Sequence, residues 1–239
     1  MTKKRVAATV LRGAEALGLA LPVSAADAFE TYYSLLEKEG RKNNLTAIRG
    51  EADVANLHFL DSIALLKAAR FTGARVIDVG SGAGFPGVPI KISEPSAELT
   101  LLDSAAKRVA FLLKLCGELG LEAACIQARS EVAAHYPDMR ERFDVAVSRA
   151  VARLNVLCEL CLPFVRVGGV FISMKGADPA DELAEASGAM EVLGAQFQEF
   201  FEYTIPGTDV THCAILLKKT TETPGKYPRR FARIQNSPL

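Results

Sequence analysis

Through the first seventy positions the apolar residues recur every third or fourth place, and from Arg75 onward short β-branched runs alternate with helical stretches. The spacing predicts helices over 5–19, 24–39 and 53–69, with Ser24 as an N-cap after Pro22 and a polar break at Arg41-Lys42-Asn43-Asn44-Leu45-Thr46. Strands are expected at 75–79, 99–103, 123–127, 143–148 and 169–175, and helices at 88–93, 105–119, 154–165 and 180–193. Two last strands, 197–204 and 211–218, have only the turn Pro206-Gly207-Thr208-Asp209 between them, so they form a hairpin. The layout is α/β: a Rossmann-like, mostly parallel seven-stranded sheet ending in an antiparallel hairpin. We expect a helical N-terminal lobe over 1–70, the α/β domain over 71–219, and a basic tail over 220–239 that orders on binding a partner.

The most specific chemistry lies where the first strand ends. Val76-Ile77-Asp78-Val79 runs into Gly80-Ser81-Gly82-Ala83-Gly84-Phe85-Pro86-Gly87, four glycines within eight residues. Glycine is needed where a Cβ would strike a ligand or where φ is positive. A loop at the carboxyl end of a parallel strand is where open α/β sheets bind nucleotide-like ligands. By letters, Gly82-x-Gly84-x-x-Gly87 fits a dinucleotide fingerprint, which keeps a nicotinamide-dependent oxidoreductase as an alternative. That fit starts two residues late and puts Pro86 where the pyrophosphate-binding helix should begin. Counted from the strand, Gly80-x-Gly82-x-Gly84 follows Asp78. A carboxylate there would face a pyrophosphate, but it suits the ammonium and sulfonium of S-adenosylmethionine, directly or through a water. The reading favours S-adenosylmethionine; a tight turn without a ligand is the remaining option.

Further acids and bases sit at the other strand ends. Asp103, 19 residues after Gly84, can accept both hydroxyls of a ribose or cap the next helix, and the two roles are compatible. Ser130-Glu131 either helps to hold adenine or starts a helix. Ser148-Arg149-Ala150 ends the fourth strand, facing a reactive methyl, where Arg149 is either a site residue or half of a structural ion pair. The Asn/Asp-Pro-Pro-aromatic tetrapeptide that serves exocyclic amines is missing there, and so is a nucleophilic cysteine for pyrimidine C5. An acceptor that is already nucleophilic remains, and N7 of guanine fits. Cys158-Glu159-Leu160-Cys161 lacks partner ligands at zinc spacing, so it reads as packed thiols and no metal is expected. His58 and Asp61, three apart on the third helix, either face the sheet's carboxyl edge or form a helix-surface pair, the favoured reading, and His135 and His212 stand alone.

At 239 residues and 49% hydrophobic content the chain can bury a full core. No apolar run nears the ~18–20 residues of a membrane span, and no signal-type core follows the basic start. Five cysteines, an odd number, do not suggest a disulfide framework, so a cytoplasmic home is expected. Net charge is zero, yet residues 1–12 carry four basic side chains and no acid, and 218–239 carry six against one acid. Basic ends on an acidic body suggest a polyanion gripped at the periphery; solvated termini are the plain alternative.

With these pieces in place the chain resembles the bacterial ribosomal RNA small subunit methyltransferase G family, also called glucose-inhibited division protein B. Asn44-Leu45-Thr46, His58-x-Leu60-Asp61-Ser62 and the glycine loop carry the resemblance in the first half. Leu102-Asp103-Ser104, Lys107-Arg108, Phe111-Leu112, Ser148-Arg149-Ala150, Met174-Lys175-Gly176 and Thr223-Pro224-Gly225-Lys226-Tyr227-Pro228-Arg229-Arg230 extend it to roughly residues 40–230. The resemblance implies a class I S-adenosylmethionine-dependent methyltransferase that acts in the cytoplasm on N7 of one guanine in the 530 loop of 16S rRNA. Its partner would be 16S rRNA or the 30S subunit, with neither membrane nor metal. By position Gly80, Phe85, Ser130, Glu131 and Arg149 would touch the cofactor, with Asp78, Gly82, Gly84 and Asp103 beside them. Arg149 and Lys175 are candidates for a direct catalytic role. A small-molecule methyltransferase is a further alternative, against which the basic ends speak. One motif departs: members often carry Trp-Asn-Lys-x-Tyr before Asn-Leu-Thr, whereas this chain has Glu39-Gly40-Arg41-Lys42-Asn43 and no tryptophan. Arg41 and Lys42 are expected to replace stacking by phosphate attraction.

Overall fold

The computed structural model describes residues 5–43, 45–176 and 179–239, with the backbone alone at 41–43. Seven strands form one sheet: β1 (Arg75–Val79), β2 (Glu98–Asp103), β3 (Ala123–Gln127), β4 (Phe143–Arg149), β5 (Val165–Lys175), β6 (Ala195–Thr204) and β7 (Thr211–Lys219). Their order is β3-β2-β1-β4-β5-β7-β6. The first five run parallel, and the β6–β7 hairpin joins antiparallel to β5. Val76, Ile77 and Val79 make β1 the strand expected of a β-branched run, buried on both faces. Strand order reverses between β1 and β4, and a ligand crevice opens there at the strands' carboxyl ends.

Helices cover both faces. One face takes α1 (Arg5–Ala16), α2 (Ala25–Asn43), a composite helical segment, α5 (Gly87–Ser93) and α6 (Ala106–Leu119). The composite segment consists of α3 (Glu51–Val54), a π turn (Ala55–Leu60), α4 (Asp61–Ile63) and a 3-10 turn (Ala64–Lys67). Phe29, Tyr32 and Phe59 of the lobe share one core with Val76 and Leu99 of the sheet. The opposite face carries α7 (Ser130–Ala133), α8 (Leu154–Cys161), α9 (Ala180–Glu185), α10 (Ser187–Leu193) and α11 (Phe231–Asn236) around Phe164 and Phe171. Among the described residues no helix is long and apolar enough to cross a membrane.

Several expectations change. The third helix is interrupted by the π turn, whose wider coil turns both His58 and Asp61 inward, 6% and 2% exposed, so they are not a surface pair. The helix expected over 154–165 stops at Cys161 because Pro163 cannot extend the hydrogen-bond ladder, and β5 begins at Val165. The 180–193 helix is split at Ala186. α2 runs on through Asn43, into the break expected at 41–46. Asn44, Lys3, Lys4 and the side chains of Arg41 and Lys42 lie outside the described residues.

The tail is the largest correction. It does not wait for a partner: Ile234 is fully buried and Tyr227 nearly so. Arg140 donates to the carbonyls of Thr223 and Tyr227 at 2.7 and 2.9 Å. Arg229 grips Glu159, with Nη2 to Oε2 at 2.7 Å. Glu159 is fully buried in α8 and needs that partner, because an unpaired buried carboxylate is strongly destabilising. Lys219, also buried, pairs with Glu141 at 3.1 Å. Part of the terminal basic charge therefore serves the fold, while Lys226, Arg230 and Arg233 stay exposed.

Candidate active site

Strand β1 delivers the glycine loop to a cleft of about 1010 Å³ across the sheet's carboxyl edge. Gly80, Gly82 and Gly84 have φ of 77°, 57° and 100°, left-handed backbone that favours glycine. Their surroundings differ. An added Cβ on Gly82 would meet nothing closer than the Gly80 carbonyl at 3.8 Å, whereas one on Gly80 would strike Val151 at 2.6 Å. Gly84 does not line the cleft, and a Cβ there would meet Tyr32 Oη at 2.7 Å and Val88 at 2.9 Å. Buried Tyr32 donates to the Ala83 carbonyl at 2.6 Å, so the lobe clamps the loop from behind. Gly84 thus gives room to that clamp, not to a ligand.

Asp78 also stands behind the loop. Its Oδ2 accepts from Gly87 N at 2.8 Å, its Oδ1 has no partner among the described residues, and burial pushes its pKa up to about 7. Asp78 does not line the cleft, so a direct meeting with a ligand's ammonium gives way to holding the start of α5. The dinucleotide alternative fails on the same contact. The first amide of α5, where a pyrophosphate would bind, already faces a carboxylate.

Asp103 does line the cleft, 3% exposed. Its Oδ2 accepts from Gly82 N at 3.0 Å, its Oδ1 accepts from Ala105 N at 2.8 Å, and Arg108 lies 3.4 Å from Oδ2. It braces the loop and shapes the entry to α6, and one of a carboxylate's roughly four acceptor sites remains. Ser130 and Glu131 line the wall beyond it, at the start of α7, and the Ser130 hydroxyl donates to the Leu160 carbonyl. Phe231 of the docked tail closes this end, with the Arg129 guanidinium 5.6 Å over its ring.

At the other end Arg149 enters a polar cluster. Nη1 donates to Asp61 Oδ2 at 2.9 Å and to the Leu57 carbonyl at 3.2 Å, and Nη2 donates to His58 Nδ1 at 2.9 Å. The guanidinium lies 5.0 Å over the Phe85 ring, on which His58 also stacks at 4.3 Å. Asp61 Oδ1 accepts from Tyr203 Oη at 2.7 Å and from His212 Nδ1 at 2.8 Å. Burial and the Arg149 charge push His58 down to about 3, so its neutral ring accepts at Nδ1 and donates from Nε2 to Thr46 Oγ1 at 2.7 Å. Burial would raise Asp61, but His212, Arg149 and Tyr203 outweigh it and hold the carboxyl below its usual range. Arg149 is therefore both an ion-pair partner and part of the cleft wall. Ala150 after it has φ 55°, rare without glycine, which turns the chain sharply away from the sheet.

Lys175 also lines the cleft, with its Nζ donating to Glu182 Oε2 at 2.6 Å and to the Ala152 carbonyl at 3.0 Å. Cys158 and Cys161 are buried thiols in α8, and no described group of three His, Cys, Asp or Glu could hold a metal. Sequence reasoning missed Tyr32, Tyr203 and His212. His212, read as isolated, meets Asp61 across 151 positions.

Comparison with known proteins sets this geometry in context. Residues 25–207 match the model of a family described as rRNA small subunit methyltransferase G. The chain is 43% identical over 236 residues to the ribosomal RNA small subunit methyltransferase G of Pelotomaculum thermopropionicum, covering 98% of this chain and 99% of the relative. It is 42% identical over 239 residues to the protein so named in Caldanaerobacter subterraneus subsp. tengcongensis, covering 99% and 100%. Among solved structures, a putative O-methyltransferase from Klebsiella pneumoniae aligns with TM-score 0.55 and 14% identity, covering 80% of this chain and 90% of that one. M. jannaschii TYW2 in complex with AdoMet aligns with TM-score 0.50 and 14% identity, covering 66% and 76%. These two share the fold.

Proposed function

The chain belongs to the rRNA small subunit methyltransferase G family, and from that premise we propose that it transfers a methyl group from S-adenosylmethionine to N7 of a guanine in the 530 loop of 16S rRNA. The observation that carries this reading is the single cleft joining Gly82 and Asp103 to the Arg149 cluster. One end suits an adenosine, and the other leaves room for a base.

S-adenosylmethionine supplies an activated methyl group on a sulfonium. The residues present fit it: Gly82 leaves its side of the loop open, and Asp103 retains an acceptor site for the ribose. Gly80, Phe85, Ser130, Glu131 and Arg149 would complete the hold, with Asp78 and Gly84 fixing the loop from behind. N7 of guanine has a free lone pair, so no side chain has to remove a proton. Accordingly Lys175 is paired with Glu182, and both nitrogens of neutral His58 are engaged. What the chain contributes is orientation and exclusion of water. Arg149 acts on the Phe85 face of the cleft, fixed by Asp61.

We assign residues 1–70 to a lobe that braces the loop, 71–219 to cofactor binding and transfer, and 220–239 to closure of the adenine end. The exposed Lys226, Arg230 and Arg233 offer phosphate contacts to 16S rRNA, free or within the 30S subunit, in the cytoplasm. The test supplies methyl-labelled cofactor with free 16S rRNA or 30S subunits and maps the labelled base. Label on N7 of one 530-loop guanine is expected. Label on another base or only on small metabolites, or calorimetric binding of NAD without S-adenosylhomocysteine, would overturn the proposal.

A further inference from the structure

The cleft extends past Arg149 beyond what a cofactor requires. Its volume of about 1010 Å³ is at the upper end of the ~300–1,000 Å³ of a pocket for one small ligand. Thr46, His58, Asp61, Met174 and His212 line the far end. Most polar groups there already hold one another, and His212 does so with only one side of its ring. Nδ1 is 2.8 Å from Asp61 Oδ1, Nε2 has no hydrogen-bond partner among the described residues, and the side chain is 28% exposed.

Because Nδ1 faces a carboxylate, it must be the N–H side of the ring. Nε2 then carries a hydrogen only when the imidazole is charged. Asp61 from α4 raises the ring's proton affinity, opposed by burial and by Arg149 from β4, and the balance is upward. Tyr203 from β6 presents its ring at right angles, centroids 6.3 Å apart. Lys175 on β5 is paired with Glu182. The charged ring presents a donor at Nε2, and a neutral ring would present an acceptor.

The geometry points to His212 as the residue that reads position 6 of the target purine: Nε2–H donates to O6 of guanine, beside the N7 that is methylated. Adenine offers an amino group at that position, donor against donor. The inference rests on the proposed reaction and adds its base selectivity. Asp61 is the positioning residue, holding the imidazole by Nδ1 while Arg149 and Tyr203 hold Asp61. The contact leaves the N7 lone pair free.

The test uses the full chain and 16S rRNA carrying guanine, inosine or 2,6-diaminopurine at the methylated position. Inosine keeps O6, and diaminopurine keeps N7 but replaces O6 with an amine. Wild type should methylate guanine and inosine similarly and diaminopurine at least about tenfold more slowly, the scale of one base-edge contact. His212→Ala should lose about 10–100-fold in kcat/KM on guanine and little on diaminopurine, while binding S-adenosylhomocysteine normally. His212→Gln, which keeps a donor, should recover part of the guanine rate. The wild-type preference for guanine over diaminopurine should also fall as pH rises through the imidazole pKa, a fall absent from His212→Gln. This last comparison holds even if the alanine variant does not fold. Equal losses on all three bases, or a wild-type preference independent of pH, would overturn the assignment. Failure of wild type to methylate guanine N7 would instead overturn the reaction proposed above.

Discussion

Asp78→Asn removes a charge that the interior opposes. The carboxyl is fully buried, with one amide donor at Gly87 and one oxygen without a described partner. Burial moves its pKa from 3.8 to about 7, a displacement worth about 4 kcal/mol. The folded value is the higher one, so the protonated carboxyl's contribution is full below about pH 4 and is lost as pH rises through about 7. From pH 5 to pH 8 the wild type should therefore lose about 3 kcal/mol that Asp78→Asn does not lose. The asparagine carbonyl can still accept from Gly87 N–H, which preserves the loop. Urea unfolding of both proteins at several pH values and fixed ionic strength measures the difference directly. A wild-type-to-variant difference that stays constant across this range would refute the reasoning, since the carboxylate would then be ionised and compensated already at pH 5.

Gly84→Ala forces a side chain into left-handed backbone 2.7 Å from Tyr32 Oη, and should lower stability by about 2–4 kcal/mol; an unchanged Tm would contradict the clamp. Arg229→Met strands the buried Glu159 carboxylate, with an expected loss of about 3–5 kcal/mol and new protease cleavage within 220–239. Adding Glu159→Gln should restore much of that stability and resistance to proteolysis. Asp103→Asn weakens the acceptor assigned to the ribose, and calorimetry should show S-adenosylhomocysteine binding about tenfold more weakly or worse. Unchanged affinity would remove Asp103 from the cofactor site.

The sheet was legible because Val/Ile-rich runs in β1, β4 and β5 alternate with helical spacing, and the hairpin because Pro206-Gly207 leaves no room for a helix. Asp103 was legible because a strand end fixes where an acid faces. Within the glycine loop the chain pattern could not tell the cleft side from the back. Gly82 and Gly84 look alike in sequence, and Tyr32, the residue that separates them, lies 51 positions before Ala83. The Arg149 cluster was hidden for the same reason, its ion-pair partner Asp61 being 88 residues away. One missed signal was local. Glu159 stands among apolar residues in α8, and a carboxylate in that setting requires a cation from elsewhere, which the tail supplies as Arg229.

The pairing of Asp61 with the hairpin has a consequence in time. Tyr203 and His212 are synthesised 142 and 151 residues after the carboxylate they serve. At ~5–20 residues per second, translation leaves roughly 7–30 s in which a nascent chain holds Asp61 without either of them. Any product that stops before β7 carries the glycine loop but lacks His212 at one end of the cleft and Phe231 at the other. Loss of the message for residues 211–239 alone therefore removes β7 together with His212, and synthesis has to pass the hairpin before the Asp61 cluster is complete.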